Sequence, residues 1–296
     1  MDGPPQNTIT EWAILIRINY YPRDHHLQGA VHDVKQVRDR LCKQPRTVDI
    51  VILTATTPSD GSTGLPTESE ELWPMYDRVV TELGRVVSQA KKGDRVYIYY
   101  SGHGTCRTKP SKHESSNDEN GTSGFALVLF APHAGRNFYG RDLAKAIELM
   151  VAKKVTVTVV LDCCFSGSVF RGPQTGSDVW SADYHPEFDR NDAQDIWSPL
   201  MSDTDGGSRN ATLSRRDWLL DPNGYTVLAA CDPQQTAREL TTEDGVHRGG
   251  FSYLLNEAIE GCGQKGVLPT HQTIYDHLLY LFRARQRRTD PDTIQR

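Results

Sequence analysis

Arg95-Val-Tyr-Ile-Tyr-Tyr100, closed by Ser101-Gly-His-Gly-Thr105, is a short apolar run that stops at a glycine-flanked polar corner. A run of this length, rich in β-branched and aromatic residues and bounded by turn residues, reads as a buried strand. The same pattern recurs on both sides of it. Upstream, Trp12-Ala-Ile-Leu-Ile-Arg-Ile-Asn19 gives a strand, Tyr20 to Gln28 a turn-prone segment, and Ala30, Val31, Val34, Val37 and Leu41 a helical spacing. Val48 to Ala55 repeats the strand, and Leu72 to Lys92 reads as a helix that Gly93-Asp94 ends. Downstream, Gly140 to Lys153 is helical, Val155-Thr-Val-Thr-Val-Val-Leu161 is a later strand, and Tyr225 to Ala230 supplies one more. Strands that alternate with helices of this length need crossover connections, which makes an α/β domain with a mostly parallel sheet covered on both faces. In such sheets chemistry sits just beyond the carboxyl ends of the strands.

The charge pattern narrows the function. The 296 residues carry 33 basic and 38 acidic side chains, a formal charge of −5, with Lys and Arg scattered along the chain. No basic stripe of the phosphate-neutralising kind results, so nucleic acid is not an expected partner. Val155–Leu161 is far below the roughly 18 apolar residues that span hydrocarbon. Met1-Asp-Gly-Pro-Pro-Gln-Asn7 lacks the basic flank and apolar core of a secretory signal, so the expectation is a cytoplasmic protein without a membrane partner. Six irregularly spaced cysteines read as reduced thiols rather than a disulfide framework. His103-x-x-Cys106 resembles half of a zinc pattern, but the adjacent Cys163 and Cys164 would point to opposite sides of an extended chain, so no metal site is expected. Neither phosphate-binding glycine pattern follows a strand, which argues against a nucleotide-binding protein.

Two corners carry chemistry. Ser101-Gly-His-Gly-Thr105 ends one strand and Leu161-Asp-Cys-Cys-Phe-Ser-Gly167 ends another. The glycines beside His103 leave room for a substrate backbone, and a histidine near a cysteine can stabilise a thiolate and later return its proton to a leaving amine. The period-two alternation of strands groups Asp162 with Cys164 and Ser101 with His103, which predicts a cluster of Ser101, His103, Asp162 and Cys164 at two strand ends.

At these residues the sequence resembles the caspase-like cysteine peptidases, and within them the metacaspases. Ser101-Gly-His-Gly104 and Asp162-Cys-Cys-Phe-Ser-Gly167 match the family's two strand-end motifs, and Cys164 follows His103 by about sixty residues, near the caspase gap. Leu27-Gln-Gly-Ala-Val-His-Asp33 looks like the family's opening segment. Tyr225-Thr-Val-Leu-Ala-Ala-Cys-Asp232, Gln235 to Glu239 and Gly249-Gly-Phe-Ser-Tyr253 resemble its small-subunit half. The resemblance implies a caspase-like three-layer α/β/α sandwich, with a large-subunit-like part at 10–167, a polar insertion at 168–223 and a small-subunit-like part at 224–287. It implies His103 as base, Cys164 as nucleophile, and the N–H groups of Gly104 and Cys164 as the oxyanion hole. It puts Asp33, Asp162 and Ser101 in the first side-chain pocket, where two carboxylates favour a cation, so cleavage is expected after Arg, then Lys, and not after Asp.

The chain also departs from the family. Calcium-responsive members carry several acidic residues after the histidine strand, whereas here only Asp118 and Glu119 precede Gly121-Thr-Ser-Gly-Phe125. The expectation is that no cofactor is required, and calcium activation finds little support. Phe165 stands where many members have histidine. The insertion contains Arg171, Arg190, Arg209, Arg215 and Arg216, of which Arg215 or Arg216 is the favoured self-cleavage site against a passive solvated loop. Protein or peptide substrates with Arg or Lys at the cut are the expected partners, and further domains beyond Arg296 are compatible with the ending. The bland readings are a backbone-bonded His103, a buried inert Cys163 and a solvated Asp33. The rival function is a catalytically silent caspase-like scaffold.

Overall fold

The computed structural model describes residues 9–22, 26–43, 46–59, 64–106, 124–132, 134–164, 222–231, 237–264, 266 and 269–289, with 185, 188–189, 196–197, 200 and 218–219 in the insertion. The apolar runs form strands as the alternation predicts. They are β1 (Glu11–Ile18), β2 (Val48–Ala55), β3 (Arg95–Ser101), β7 (Thr156–Asp162) and β8 (Tyr225–Ala229), in one parallel sheet of order β2-β1-β3-β7-β8. Between β3 and β7 stand β4 (Gly104–Cys106), β5 (Phe125–Ala131) and β6 (Ala134–Tyr139), an antiparallel three-stranded sheet. The sequence reading assigns none of these three, although β5 is apolar throughout. β9 (Glu239–Thr241) and β10 (His247–Gly249) make a short hairpin.

The strand period of two sorts β1 between two cores. Trp12, Ile14, Ile16 and Ile18 join a larger cluster with Val79, Leu83 and Val86 of α2 (Tyr76–Gln89) and Leu143, Ile147 and Met150 of α3 (Gly140–Ala152). Ala13 and Leu15 face the opposite way. They pack with Val34, Val37 and Leu41 of α1 (Ala30–Cys42), Leu255 of α4 (Gly250–Gln264) and Ile274 of α5 (His271–Thr289). Helices therefore cover both faces of the parallel sheet, the three-layer α/β/α arrangement expected from the sequence.

Two findings modify the sequence reading. The interval 168–223, read as a polar insertion, contributes Phe188, Trp197 and Trp218 to the larger core. Trp197 Nε1 donates to the Asp142 carbonyl at 2.8 Å, and Asp189 accepts from Asn137 Nδ2 and Tyr139 Oη. These aromatics lie far apart in sequence, so no periodicity announces them. Second, Cys163 and Cys164 do not divide between two faces. β7 ends at Asp162, the alternation ends with it, and both cysteines join the same larger cluster.

Candidate active site

Parallel pairing aligns the carboxyl ends of the central strands. Arg17 of β1 lies opposite Ser101 of β3, and Ser101 lies opposite Asp162 of β7. Directly paired residues share a face, so Arg17, Ser101 and Asp162 form a polar row on the side covered by α1. Asp33, in the first turn of α1, is fully buried and accepts the Gly249 N–H at 2.9 Å through Oδ2. Asp162 Oδ2 accepts the Ser252 N–H at 3.0 Å, and Ser252 Oγ lies 2.7 Å from the Tyr99 hydroxyl. Among the described residues, Asp33 Oδ1, Asp162 Oδ1 and Ser101 Oγ are buried without a hydrogen-bond partner. Burial pushes the Asp162 carboxyl up to about 6. Burial, and then the nearby Asp162, push Asp33 well above the carboxylate range, opposed by the Gly249 N–H, Arg248 and Arg17. Arg17 is itself buried, donates to Thr56 Oγ1 at 3.1 Å, and is lowered by desolvation to about 10.

Beyond this row the two motifs leave the sheet side by side. The Gly102 N–H donates to the Asp162 carbonyl at 3.2 Å, so β3 and β7 remain in step past their last pair, and His103 and Cys164 each follow that pair by two residues. Two tyrosines clamp the His103 backbone. Its N–H donates to the Tyr21 hydroxyl at 2.7 Å, and the Tyr100 hydroxyl donates to its carbonyl at 2.7 Å. The Tyr21 ring lies against the imidazole, centroids 4.3 Å apart. Val128 of β5 donates to the same carbonyl at 3.0 Å, directly before β4 begins at Gly104.

The flanking glycines make this packing possible. A Cβ at Gly102 would stand 2.5 Å from the Tyr21 hydroxyl, and one at Gly104 would stand 1.8 Å from the Cys164 carbonyl oxygen. Their room is thus filled by the protein itself, whereas the sequence reading gives it to substrate. Cys164 is buried, and its Sγ accepts the Ala237 N–H at 3.2 Å. A hydrogen bond with the Cys231 thiol, and then burial, raise the Cys164 thiol above its ordinary range.

The structure brings Ser101, His103, Gly104, Asp162 and Cys164 to the ends of two adjacent strands and adds Asp33 from α1. Burial of Asp33 replaces the solvated reading. Phe165, Ser166 and Gly167 of the cysteine motif, Asp118 and Glu119, and Arg171, Arg190, Arg209, Arg215 and Arg216 lie outside the described residues. Sequence reasoning misses Tyr21, Tyr100, Ser252, Ala237 and Cys231 as neighbours of the motifs. Arg17 carried a signal, as a lone cation inside an apolar strand. Among the described residues no group of His, Cys, Asp or Glu is arranged to hold a metal ion, and no helix is long and apolar enough to cross a membrane.

Comparison with known families acts on this geometry. The family model described as metacaspase, peptidase C14 domain, matches residues 11–173, more than half of the chain and both strand-end motifs. The chain belongs to the metacaspases. It is 33% identical to metacaspase-2 of Trypanosoma brucei brucei over 165 residues, which are 55% of this chain and 43% of that protein. It is 24% identical to metacaspase-1 of Schizosaccharomyces pombe over 267 residues, 83% of this chain and 59% of that protein. The matched region thus spans less than two thirds of either relative's length. A crystal structure of a Geobacter sulfurreducens protein shares the fold, with a TM-score of 0.52 at 15% identity over 91% of this chain and 88% of that one.

Proposed function

We propose that this metacaspase is a cysteine endopeptidase that cuts after Arg, and less readily after Lys, through Cys164 and His103. The observation that carries the reading is the in-register end of β3 and β7, which sets the histidine and cysteine corners against each other with Gly104 on the Cys164 carbonyl. His103 would take the Cys164 proton, the thiolate would attack the substrate carbonyl carbon, and the protonated imidazole would return the proton to the leaving amine. Water then releases the acid from the thioester, with His103 again as base. The N–H groups of Gly104 and Cys164 would hold the oxyanion. No step calls for a Lewis acid, so calcium is assigned no part in the bond-breaking chemistry.

Specificity follows from the buried oxygens. A guanidinium entering beside Asp33, Asp162 and Ser101 brings five N–H donors to three acceptors that lack one, and its charge favours the ionised form of both acids. An aspartate side chain would meet like charge there. The six cysteines stand as free thiols, which fits a reducing, cytoplasmic setting.

A second reading, a silent caspase-like module, is favoured by the burial of Cys164 and its bond from Ala237. A fluorogenic peptide ending in Arg separates the two. Turnover by the wild type that is lost in Cys164→Ala, with an Asp-ended peptide left uncut, supports the peptidase. Equal signal from both proteins, or none from either with and without calcium, supports the scaffold.

A further inference from the structure

Cys231 has no part in the hydrolysis just described, yet it stands against the nucleophile. Leu161 pairs with Ala229 across β7 and β8, and the Ala230 N–H continues the ladder to the Leu161 carbonyl at 2.9 Å. One residue further on, the Cys231 thiol donates to the Cys163 carbonyl at 3.5 Å. That carbonyl belongs to the peptide group that joins Cys163 to Cys164. The Cys164 sulfur also lies 3.2 Å from the Ala237 nitrogen and 3.6 Å from its carbonyl oxygen. Both cysteines are buried and stand two residues past the ends of the paired strands β7 and β8, which brings them side by side, and the Cys231 thiol raises that of Cys164.

We propose that Cys164 and Cys231 form a reversible disulfide that masks the nucleophile under oxidising conditions. The oxidant is a peroxide. The Cys164 thiolate attacks one peroxide oxygen, the O–O bond breaks, and hydroxide leaves, which gives a sulfenic acid on Cys164. The Cys231 sulfur then attacks Cys164 Sγ, the S–O bond breaks, and the Cys231 proton leaves with the hydroxyl as water. In balance, two thiols are oxidised to one disulfide and hydrogen peroxide is reduced to two waters. Cys163 is not the partner, because neighbouring Cα atoms about 3.8 Å apart across a trans peptide are closer than the roughly 4.4–6.8 Å of ordinary disulfides. Burial beside a second thiol also limits attack by larger reagents, so the pair should close on itself before a bulky thiol can cap it.

Silencing of hydrolysis by this bond rests on the peptidase reading, but formation of the bond does not. The 296-residue chain, treated with hydrogen peroxide, alkylated and digested without reductant, should yield a linked pair of peptides that contain Cys164 and Cys231. The pair should be lighter than the two free peptides by two hydrogens. The link should persist in Cys163→Ala and vanish in Cys164→Ala, in Cys231→Ala and on treatment with dithiothreitol. Activity on the Arg peptide, normalised to each protein before oxidation, should recover on reduction at least about tenfold better in the wild type than in Cys231→Ala, where the sulfenic acid runs on to sulfinic acid. Absence of the link, a link that requires Cys163, or sulfinic acid on Cys164 with Cys231 still open to alkylation would overturn the proposal whatever the peptide assay gives. A link in a protein that cuts no peptide would overturn the peptidase reading and leave the disulfide standing.

Discussion

Asp162, on the proposed reading, exchanges stability for recognition. Its carboxyl is raised from the ordinary 3.8 to about 6 by burial. Between those pH values the folded protein keeps a proton that the unfolded chain has lost, so this group makes stability fall as pH climbs through the window. Its cost at neutral pH is on the order of 3 kcal/mol. Asp162→Asn removes the buried charge and keeps an oxygen for the Ser252 N–H. Thermal denaturation at pH 7 should show the variant melting several degrees higher, while kcat/KM for an Arg peptide falls by about 10² or more. In the wild type the same titration should make kcat/KM for Arg substrates rise with pH around 6, with most of the change in KM. A flat profile across that range would contradict the assignment of Asp162 to the pocket.

The element that matters most is the pair of strand ends, and here a glycine bears the load. Gly104→Ala places a methyl group on the Cys164 carbonyl, where no flexible side chain can yield. One of the two corners has to shift, and a displacement of about 1 Å at reacting groups costs roughly 10² in rate. The expected outcome is a folded protein, by circular dichroism, whose kcat on the Arg peptide drops by about that factor. The motif was legible in the sequence because glycine, histidine and cysteine at strand ends are chemically distinctive. The reason for its glycines was not, since the Tyr21 hydroxyl and the Cys164 carbonyl that fill their space come from distant positions. Tyr21 and Tyr100 read only as apolar strand and turn residues until the fold sets one hydroxyl on the His103 N–H and the other on its carbonyl.

Across the whole molecule, the sheet and its core join the parts before and after the insertion. β8 pairs with β7 over five residues, from Val157 opposite Tyr225 to Leu161 opposite Ala229, and Trp197 and Trp218 sit in the larger core. A cut after Arg215 or Arg216 should therefore leave both pieces in one particle. Size-exclusion chromatography of the nicked protein should give a single peak at the uncut position, with two bands on a denaturing gel. Separate elution of the pieces would show that the β7–β8 contact does not hold them. The parallel α/β architecture and both strand-end motifs are legible before any packing is known, because alternation of apolar and polar residues and the placing of glycine are local properties of the chain. Packing alone buries Asp33 next to Asp162, brings Cys231 beside Cys164 and draws the aromatics of the insertion into the core. Each of these depends on which strands and helices pack together, and that is settled by burial of two whole faces rather than by any short stretch of residues.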